Sequence, residues 1–384
     1  MSTHTVLDLF CGCGGLSLGL EVTGFRVVGG NDYDDDALAA FSANHPHART
    51  WSGGVEELSS DRVLSDLRIE PGELDSLVGG PPCQGFSQNR ARRHVNGRFV
   101  DDPRNYLFKE FLRFVRDLRP RTLIVENVPQ LLIKEQGAFK REIQDQLSEL
   151  GYESVCEVLN AADYGVPQRR QRAIILASRI GMPVMPQPTH QSHDASGTLF
   201  PLPRYVSIWD AIGDLPSLRA GDGASPVPYS SEPFTKYQIE RRGHSSQLHD
   251  HVAWELSAVQ AERLEYLSEG DGMEKLPPHL APRSGYGSAY RRMRRDEPAL
   301  TITTWMYHPG SGMFCHPLDD RVITLREGAR LQSFDDDTRF VGGKVARCRQ
   351  VGNAVPPLLG RALGEALKRM LNVSDEQSTQ MVIA

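Results

Sequence analysis

A cysteine in a rigid loop is the most reactive candidate in the chain. Cys83 lies within residues 79–87 (GGPPCQGFS), directly after a short apolar run at 74–78. The Pro-Pro pair and the glycines end any regular element there, so the thiol stands on a loop just past a predicted strand. A buried, inert cysteine is the ordinary alternative, but these neighbours fit a core role poorly. The segment predicts a nucleophilic thiol.

Charged side chains follow two further predicted strands. Glu126 comes directly after an apolar run at 122–125, and residues 168–172 (QRRQR) place three cations before the last strand. The Glu126 carboxylate is expected on the same edge of the sheet as Cys83, where a thiol and a carboxylate form a covalent-catalysis pair. An exposed strand-end acid and a solvated basic turn are the alternatives.

A glycine-rich turn follows the first predicted strand. Residues 8–15 (DLFCGCGG) occupy the position where nucleotide-like ligands bind in open α/β sheets. The spacing is not G-x-G-x-x-G, so a dinucleotide is disfavoured. A tight turn without a ligand is the alternative. Cys11 and Cys13 are one residue apart with no second pair, which is poor zinc spacing, and we expect no metal.

An acid stands at the end of the second predicted strand, in residues 31–34 (NDYD). Asp32 in that position can hold both hydroxyls of a ribose. Helix capping by Asp32 or Asp34 is a common alternative, and the two roles can coexist on different carboxylates.

Alternating strand and helix patterns must position these residues. Strands are predicted at 5–10, 25–30, 74–78, 122–125, 154–159 and 173–177, with helices between them, among them 106–118 and 138–150. This alternation predicts an α/β fold with a doubly wound, mostly parallel sheet, which brings the strand ends to one edge.

The proline content and the periodicity of the sequence change after about residue 180. Residues 181–235 hold many prolines and few periodicities, which predicts a smaller, irregular domain over 181–345, with a helix at 325–333. A helix at 357–371 is expected to pack on the first domain. The first domain is then discontinuous, 1–180 plus 346–373, and the polar end, 374–384, is expected to be a flexible tail.

The order and text of these segments resemble the cytosine-C5 DNA methyltransferases of bacterial or phage type. The matching segments are DLFCGCGG, NDYD, GGPPCQGFS, ENV, QRRQR, REGARLQSF and RQVGNAVPP, which cover about residues 4–180 and 290–370. The resemblance implies a Rossmann-like methyltransferase sheet. The unmatched stretch, about 185–290, falls where that family carries its target-recognition segment.

The resemblance implies a role for each catalytic candidate. Cys83 matches the thiol that adds to C6 of a flipped-out cytosine in double-stranded DNA, which makes C5 nucleophilic toward the methyl group. Glu126 matches the acid that contacts N3 and the amino group of the base. Arg172 matches the arginine that holds O2, and Arg170 supports it nearby.

The resemblance also implies S-adenosylmethionine as the cofactor. The implied binding residues are Phe10, Cys11, Gly12, Gly15, Asp32, Tyr33, Val55, Pro82, Leu107 and Asn353. Two positions depart from the family pattern. Asp32 stands where Glu is usual, and Gly54 stands where the family has the acid that accepts from the adenine amino group. Glu56 is a candidate to replace that acid.

The net charge of −6 at first argues against a polyanion-binding protein. The arginines are nevertheless clustered, and two acid-free clusters are expected to contact DNA phosphates. They are Arg90, Arg92, Arg93 and Arg98 after the cysteine loop, and Arg291, Arg292, Arg294 and Arg295 later in the chain. The expected consequence is DNA affinity that falls steeply with salt.

Composition and context bound the remaining expectations. No apolar run approaches the length of a membrane span, and no signal-peptide pattern opens the chain, so we expect a cytoplasmic, nucleoid-associated monomer with reduced thiols. A role in restriction–modification beside a separate endonuclease, in another phage-defence system, or alone is left open. The competing functions are a transfer-RNA cytosine-C5 methyltransferase and a non-catalytic DNA-binding homologue.

Overall fold

A seven-stranded sheet forms the centre of the protein in a computed structural model that describes residues 4–82, 106–192, 201–282 and 287–383. The order is β3-β2-β1-β4-β5-β8-β6. The strands are β1 Thr5–Leu9, β2 Arg26–Asp32, β3 Arg49–Ser52, β4 Ser76–Gly79, β5 Thr122–Asn127, β6 Glu153–Asn160 and β8 Gln171–Ser178. The first five pair in parallel, and β8 runs antiparallel to β5 and β6. The predicted α/β, mostly parallel doubly wound fold is confirmed.

Helices connect and cover these strands. They are α1 Gly15–Val22, α2 Asp35–Asn44, α3 Ser60–Leu67, α4 Tyr106–Leu118, α5 Gln130–Ile133, α6 Ala138–Glu149, α7 Ile208–Ile212, α8 Lys236–Arg242, α9 Ala258–Glu265, α10 Leu325–Leu331, α11 Lys344–Asn353 and α12 Pro357–Ile383. Short strand pairs join β7 Gln168–Arg169 to β11 Ala299–Leu300 and β9 Val227–Pro228 to β10 Gln247–Leu248. Helix α4 shows why such segments fold: Phe108, Phe111 and Val115 recur at helical spacing and are buried in the core of the sheet.

The described chain divides into two compact units. The first is 1–160, 171–187 and 359–384, and the second is 161–170 and 188–358. These units have other bounds than the predicted domains, since residues 161–170 and 346–358 fall in the second unit and 181–187 in the first. Residues from 359 onward belong to the first unit, and α12 continues as helix to Ile383.

Glycines allow the last helix to lie directly on the first. A Cβ on Gly360 would stand 2.9 Å from the Leu16 carbonyl oxygen and 3.3 Å from the Cα of Gly19. The Lys368 ammonium donates to the carbonyl of Thr23 at 2.6 Å. The helix that opens at the glycine-rich turn is therefore held by the end of the chain.

The second unit has an ionic core around α10. Every residue of this helix is buried, and Arg326 and Arg330 have no exposed surface. Arg330 pairs with Asp214 at 2.7 Å and with Asp336 at 2.6 Å. Such buried charges are tolerated because each is paired and hydrogen-bonded.

Candidate active site and DNA interface

The glycine-rich turn leaves β1 in an unusual backbone conformation. Phe10, Gly12 and Gly14 have φ of 60°, 54° and 90°. Left-handed backbone favours glycine because it has no Cβ. The turn is closed by hydrogen bonds from the Cys11 amide to the Asn31 carbonyl and from the Gly14 amide to the Cys11 carbonyl. Gly15 then begins α1.

Asp32 supports this turn from the end of β2. Its Oδ2 accepts from the Gly12 amide at 2.8 Å, and its Oδ1 accepts from the Asp34 amide at 2.9 Å. Burial raises the pKa of Asp32, which these backbone donors oppose. Asp34 caps α2 by accepting from the Ala37 amide. Of the two carboxylates, Asp34 is therefore the one that caps the helix.

An exposed aromatic ring stands beside the acid. Tyr33 keeps 73% of its surface exposed, which is unusual for a large ring directly after a central strand. A carboxylate at the strand end, a glycine turn and an open aromatic ring fit the ribose and base of a nucleoside.

The thiols of the turn are inert. Burial raises the pKa of Cys13 to about 12 and that of Cys11 well above its ordinary range. Beneath the turn, the buried Asp8 carboxylate accepts from the Ser17 hydroxyl at 2.7 Å. Burial raises the pKa of Asp8 from 3.8 to about 7. These side chains belong to the support of the turn.

The loop after β3 lies against the same strand end. The Asn31 amide donates to the carbonyls of Trp51 and Gly53, at 2.9 and 3.1 Å. Arg113 on α4 donates to the Val55 carbonyl at 3.0 Å, and the Val55 side chain is buried. The Glu56 carboxylate folds back over Gly54, 2.6 Å from where a Cβ would stand. An acidic group therefore occupies the space that a side chain at position 54 would enter.

Glu126 and Arg172 form an ion pair at the end of β5. Arg172 Nε lies 2.7 Å from Glu126 Oε1, and the two side chains are 15% and 12% exposed. Glu126 pairs with Ile174 across the antiparallel ladder, so Arg172, two residues from Ile174, reaches the same face. The structure thus brings together the predicted acid and the predicted arginine.

The start of the cysteine loop is tied to this pair. The Asn127 amide donates to the Pro81 carbonyl at 2.8 Å. A Cβ on Gly80 would stand 3.2 Å from Glu126 Oε2, so glycine leaves room beside the carboxylate. Cys83 itself lies outside the described residues, as does the predicted arginine cluster that follows it, Arg90, Arg92, Arg93 and Arg98.

Arg170, which the resemblance gives a supporting role beside Arg172 in the catalytic set, is enclosed by backbone. It is 1% exposed and donates to the carbonyls of Ile302, Gly352 and Ala354 at 2.9–3.1 Å. A guanidinium held by buried backbone carbonyls positions those segments, so the structure gives Arg170 a positioning role.

Two buried glutamines, Gln168 and Gln332, hydrogen-bond to the same backbone segments as Arg170. Gln168 Nε2 donates to Gln332 Oε1 at 2.8 Å, and Gln332 Nε2 donates to the Val351 carbonyl at 2.6 Å. Gln168 Oε1 accepts from the Ile302 amide. The sequence pattern indicates no role for these side chains, although both stand in segments that carry the family resemblance. The same is true of Asn31, Arg113 and Asn127.

The second arginine cluster divides by burial. Arg292 is 3% exposed and donates to the carbonyls of Leu264, Leu267, His316 and Asp319 and to the Asp320 carboxylate. Its prediction as a phosphate contact is wrong, because a guanidinium so enclosed cannot reach DNA. Arg291 pairs with Glu274, Arg294 with Glu297 and Arg295 with Glu269, and the Arg294 side chain is 55% exposed.

The remaining predicted cofactor residues are dispersed. Pro82 is exposed after β4, and Leu107 is half-buried against the core of the sheet. Asn353 ends α11 and belongs to the second unit. Within the described residues, no group of three or more potential metal ligands occurs, and no helix is long and apolar enough to cross a membrane.

The first unit thus has a mostly parallel α/β sheet with a glycine-rich turn, a carboxylate and an open aromatic ring at the ends of β1 and β2, and an arginine–glutamate pair at the end of β5. The family model for C-5 cytosine-specific DNA methylases matches residues 4–369. Type II methyltransferase M.AgeI of Thalassovita gelatinovora is 33% identical, over 94% of this chain and 98% of its own length. Type II methyltransferase M1.HphI of Haemophilus parahaemolyticus is 35% identical, over 95% and 87%.

A solved structure agrees with these relatives. The crystal structure of a putative DNA modification methyltransferase encoded within an E. coli prophage has a TM-score of 0.74 and 26% identity, over 96% of this chain and 99% of that chain. The chain belongs to the C-5 cytosine-specific DNA methylase family. It is a DNA (cytosine-5)-methyltransferase, and S-adenosylmethionine is the cofactor of this family.

Proposed function

We propose that the protein methylates C5 of a flipped-out cytosine in one specific double-stranded DNA sequence through a covalent adduct between Cys83 and C6. The Glu126–Arg172 pair carries this proposal, because it places an acid and a cation together beside the start of the cysteine loop. Unstacking the base costs a few kcal/mol, which DNA contacts must offset.

The proposed chemistry assigns one task to each side chain. The Cys83 thiolate forms a bond to C6, and proton density at N3, held by Glu126, balances the negative charge that builds in the ring. Arg172 at O2 stabilises the same charge. C5 would then take the methyl group, with the electron pair of the broken methyl–sulfur bond staying on the sulfur of the donor. Transfer of the C5 proton to solvent would then expel the Cys83 thiolate and restore the aromatic ring. S-adenosylmethionine supplies the methyl group when it is bound.

The strand-end residues of the first unit fit that cofactor. Asp32 would bind the ribose, Tyr33 would pack on the adenine, and the turn from Phe10 to Gly15 would approach the remainder. Glu56 would accept from the adenine amino group, since its carboxylate already occupies the space beside Gly54. Val55, Pro82, Leu107 and Asn353 would complete the pocket.

The relatives suggest the biological setting. M.AgeI and M1.HphI are named type II methyltransferases, so we place this enzyme in restriction–modification or phage defence, acting on cytoplasmic DNA with or without a separate endonuclease. The five described cysteines are free thiols, as that compartment favours. We assign sequence recognition to the 185–290 segment, and phosphate contacts to Arg291, Arg294 and Arg295 and to the cluster after Cys83.

A labelling experiment tests the reaction. The enzyme is incubated with methyl-labelled S-adenosylmethionine and either duplex DNA or transfer RNA, beside Cys83→Ala and a control, Cys156→Ala, from the middle of β6. We expect label in DNA with wild type and control and none with Cys83→Ala. Bisulfite sequencing would then identify the target. Label in transfer RNA alone would overturn the DNA assignment.

The adduct is tested separately. With 5-fluorocytosine in the target, C5 carries fluorine instead of the proton that must leave, so elimination of the thiolate is blocked. We expect a denaturant-resistant protein–DNA complex with wild type and none with Cys83→Ala. Methylation of ordinary DNA without such a complex would exclude the covalent route while leaving the activity in place.

A further inference from the structure

Three aromatic rings form a row in the second unit. The centroids of Trp254 and Tyr307 are 5.7 Å apart, and those of Tyr307 and Trp305 are 5.6 Å apart. The Trp254 indole donates to the Ile323 carbonyl at 2.9 Å, which fixes the inner end. Trp305, at the outer end, keeps 60% of its surface exposed. An exposed indole in a fixed row is a common feature of binding surfaces.

The backbone under Trp305 is rigid. Met306, the next residue, is fully buried, and its sulfur lies 2.5 Å from where a Cβ on Gly328 of α10 would stand. The Trp305 carbonyl accepts from the His308 amide and the Ser311 hydroxyl. The indole is therefore presented by a turn that is already ordered, which lowers the entropy cost of a contact.

The residues just before this turn, 302 and 303, are held by Arg170 and Gly352. Arg170 donates to the Ile302 carbonyl, and a Cβ on Gly352 would stand 2.5 Å from the backbone of Thr303. The start of the turn is thus held by contacts within the second unit.

A cation accompanies the aromatic row. The Lys344 ammonium lies 5.6 Å from the centroid of Trp254, at the first residue of α11. An ammonium over the inner ring of a row whose outer ring is exposed suits a nucleotide, which offers a phosphate and an apolar face. This combination favours DNA over an apolar protein segment as the occupant.

We propose that Trp305 packs on a nucleotide of the bound DNA, with its base or deoxyribose against the indole, and that this contact contributes to affinity for the target. The inference rests on the proposed function and names a contact within it. Tyr307 and Trp254 support the ring, and Lys344 faces the backbone of the same strand.

Tryptophan fluorescence tests the contact directly. Stacking of a base on an indole quenches its emission, so titration with target duplex should quench wild type and Trp209→Phe. In Trp305→Phe most of that change should be lost. Undiminished quenching in Trp305→Phe would overturn the proposal.

Binding and kinetics supply the second readout. Trp305→Ala should weaken DNA binding roughly tenfold, Trp305→Phe should retain most of the affinity, and Tyr266→Ala, an exposed ring on the same unit, should bind like wild type. The KM for DNA should rise while the KM for S-adenosylmethionine is unchanged. Trp305→Ala that folds and binds DNA like wild type would refute the contact. A wild type that does not methylate DNA would instead refute the proposed function.

Discussion

The contacts that a charged side chain makes in this protein depend on whether carboxylates or backbone carbonyls surround it. Glu126 and Arg172 are paired at 2.7 Å and keep a small exposed fraction. Arg170 and Arg292 carry the same charge as Arg172, yet their donors are taken by buried backbone carbonyls. The same residue type is therefore paired with a carboxylate in one place and enclosed by backbone in the others.

Asp8 gives a prediction at the residue scale. Burial raises the folded-state pKa of Asp8 from 3.8 to about 7. Its contribution to stability is complete below about pH 4 and is lost as the pH rises to about 7, because the unfolded chain releases the proton first. The Asp8→Asn variant has no ionisable group at this position, so its stability does not fall with pH for this reason. We expect the free energy of unfolding of the variant, relative to wild type, to rise by up to about 2–3 kcal/mol between pH 5 and 8.

Urea unfolding at the two pH values measures the difference. Asp61→Asn, which changes an exposed carboxylate in the first turn of α3, serves as the control and should show no such change. A constant difference between Asp8→Asn and wild type across this range would mean that Asp8 is charged in the folded protein.

The helices and strands show where sequence patterns suffice. The central strands and α4 are predicted because their apolar residues recur at regular spacing and are buried on the sheet. The sequence pattern predicts neither strand β3 nor helix α3. In β3, Arg49–Ser52, only Trp51 is buried, and its polar neighbours leave no alternation of apolar and polar residues. In the second unit the predicted helix at 325–333 corresponds to α10, Leu325–Leu331. Helices α7, α8 and α9 are not predicted, because five to eight residues are too few to show a helical period.

The residues of the candidate site likewise divide into those that the sequence can predict and those that it cannot. Glu126 and Asp32 can be singled out from the sequence, because each carboxylate stands at the end of a predicted strand. Arg172 stands at the start of β8 and is singled out only by the family resemblance, and Cys83 lies outside the described residues. The supporting contacts of Gln168, Gln332 and Asn127 could not be predicted, since an amide in a loop gives no signal until its partners, far away in sequence, are known. Likewise, counting the charged residues along the sequence cannot show that Arg292 is buried.

The crossing of α1 and α12 gives a prediction at the element scale. A methyl group at position 360 would press on the Leu16 backbone, which cannot move aside as a flexible side chain would. We expect Gly360→Ala to lower the free energy of unfolding by about 1–3 kcal/mol, since overpacking forces a backbone shift. Arg361→Ala, on the exposed side of the same helix, should change it by less than about 0.5 kcal/mol.

Thermal and urea unfolding of these two variants would check the crossing. Equal stability of Gly360→Ala and Arg361→Ala would show that the two helices can separate without cost, and that close backbone approach does not hold α12 in place.

At the scale of the whole molecule, the net charge of −6 averages over different surfaces. Much of the charge of the second unit is internal, as in the pairs of Arg321 with Glu327 and of Arg330 with Asp214. Such pairs add nothing to the field that DNA meets. The affinity for DNA is therefore expected to depend on a few exposed arginines.

Salt dependence tests that expectation. Arg294→Gln should reduce the slope of log affinity against log salt by about 1, because one phosphate contact is removed. Its unfolding should match wild type. Arg292→Gln should instead destabilise the protein by about 3 kcal/mol or more, since it leaves several buried acceptors unpaired. An unchanged slope in Arg294→Gln would exclude this arginine from the DNA interface.

The return of the last helix to the first has one more consequence. The His4 ring hydrogen-bonds to the side chain of Asn372 at 3.1 Å, so the residue before β1 lies beside the second half of the last helix. A linker from residue 373 to residue 4 could close the chain, and new ends could be cut at the exposed turn near Gly181 and Met182 without breaking any strand pairing. A circular permutant of this kind should keep the fold, which means that the order of the motifs along the chain is separate from their arrangement in space.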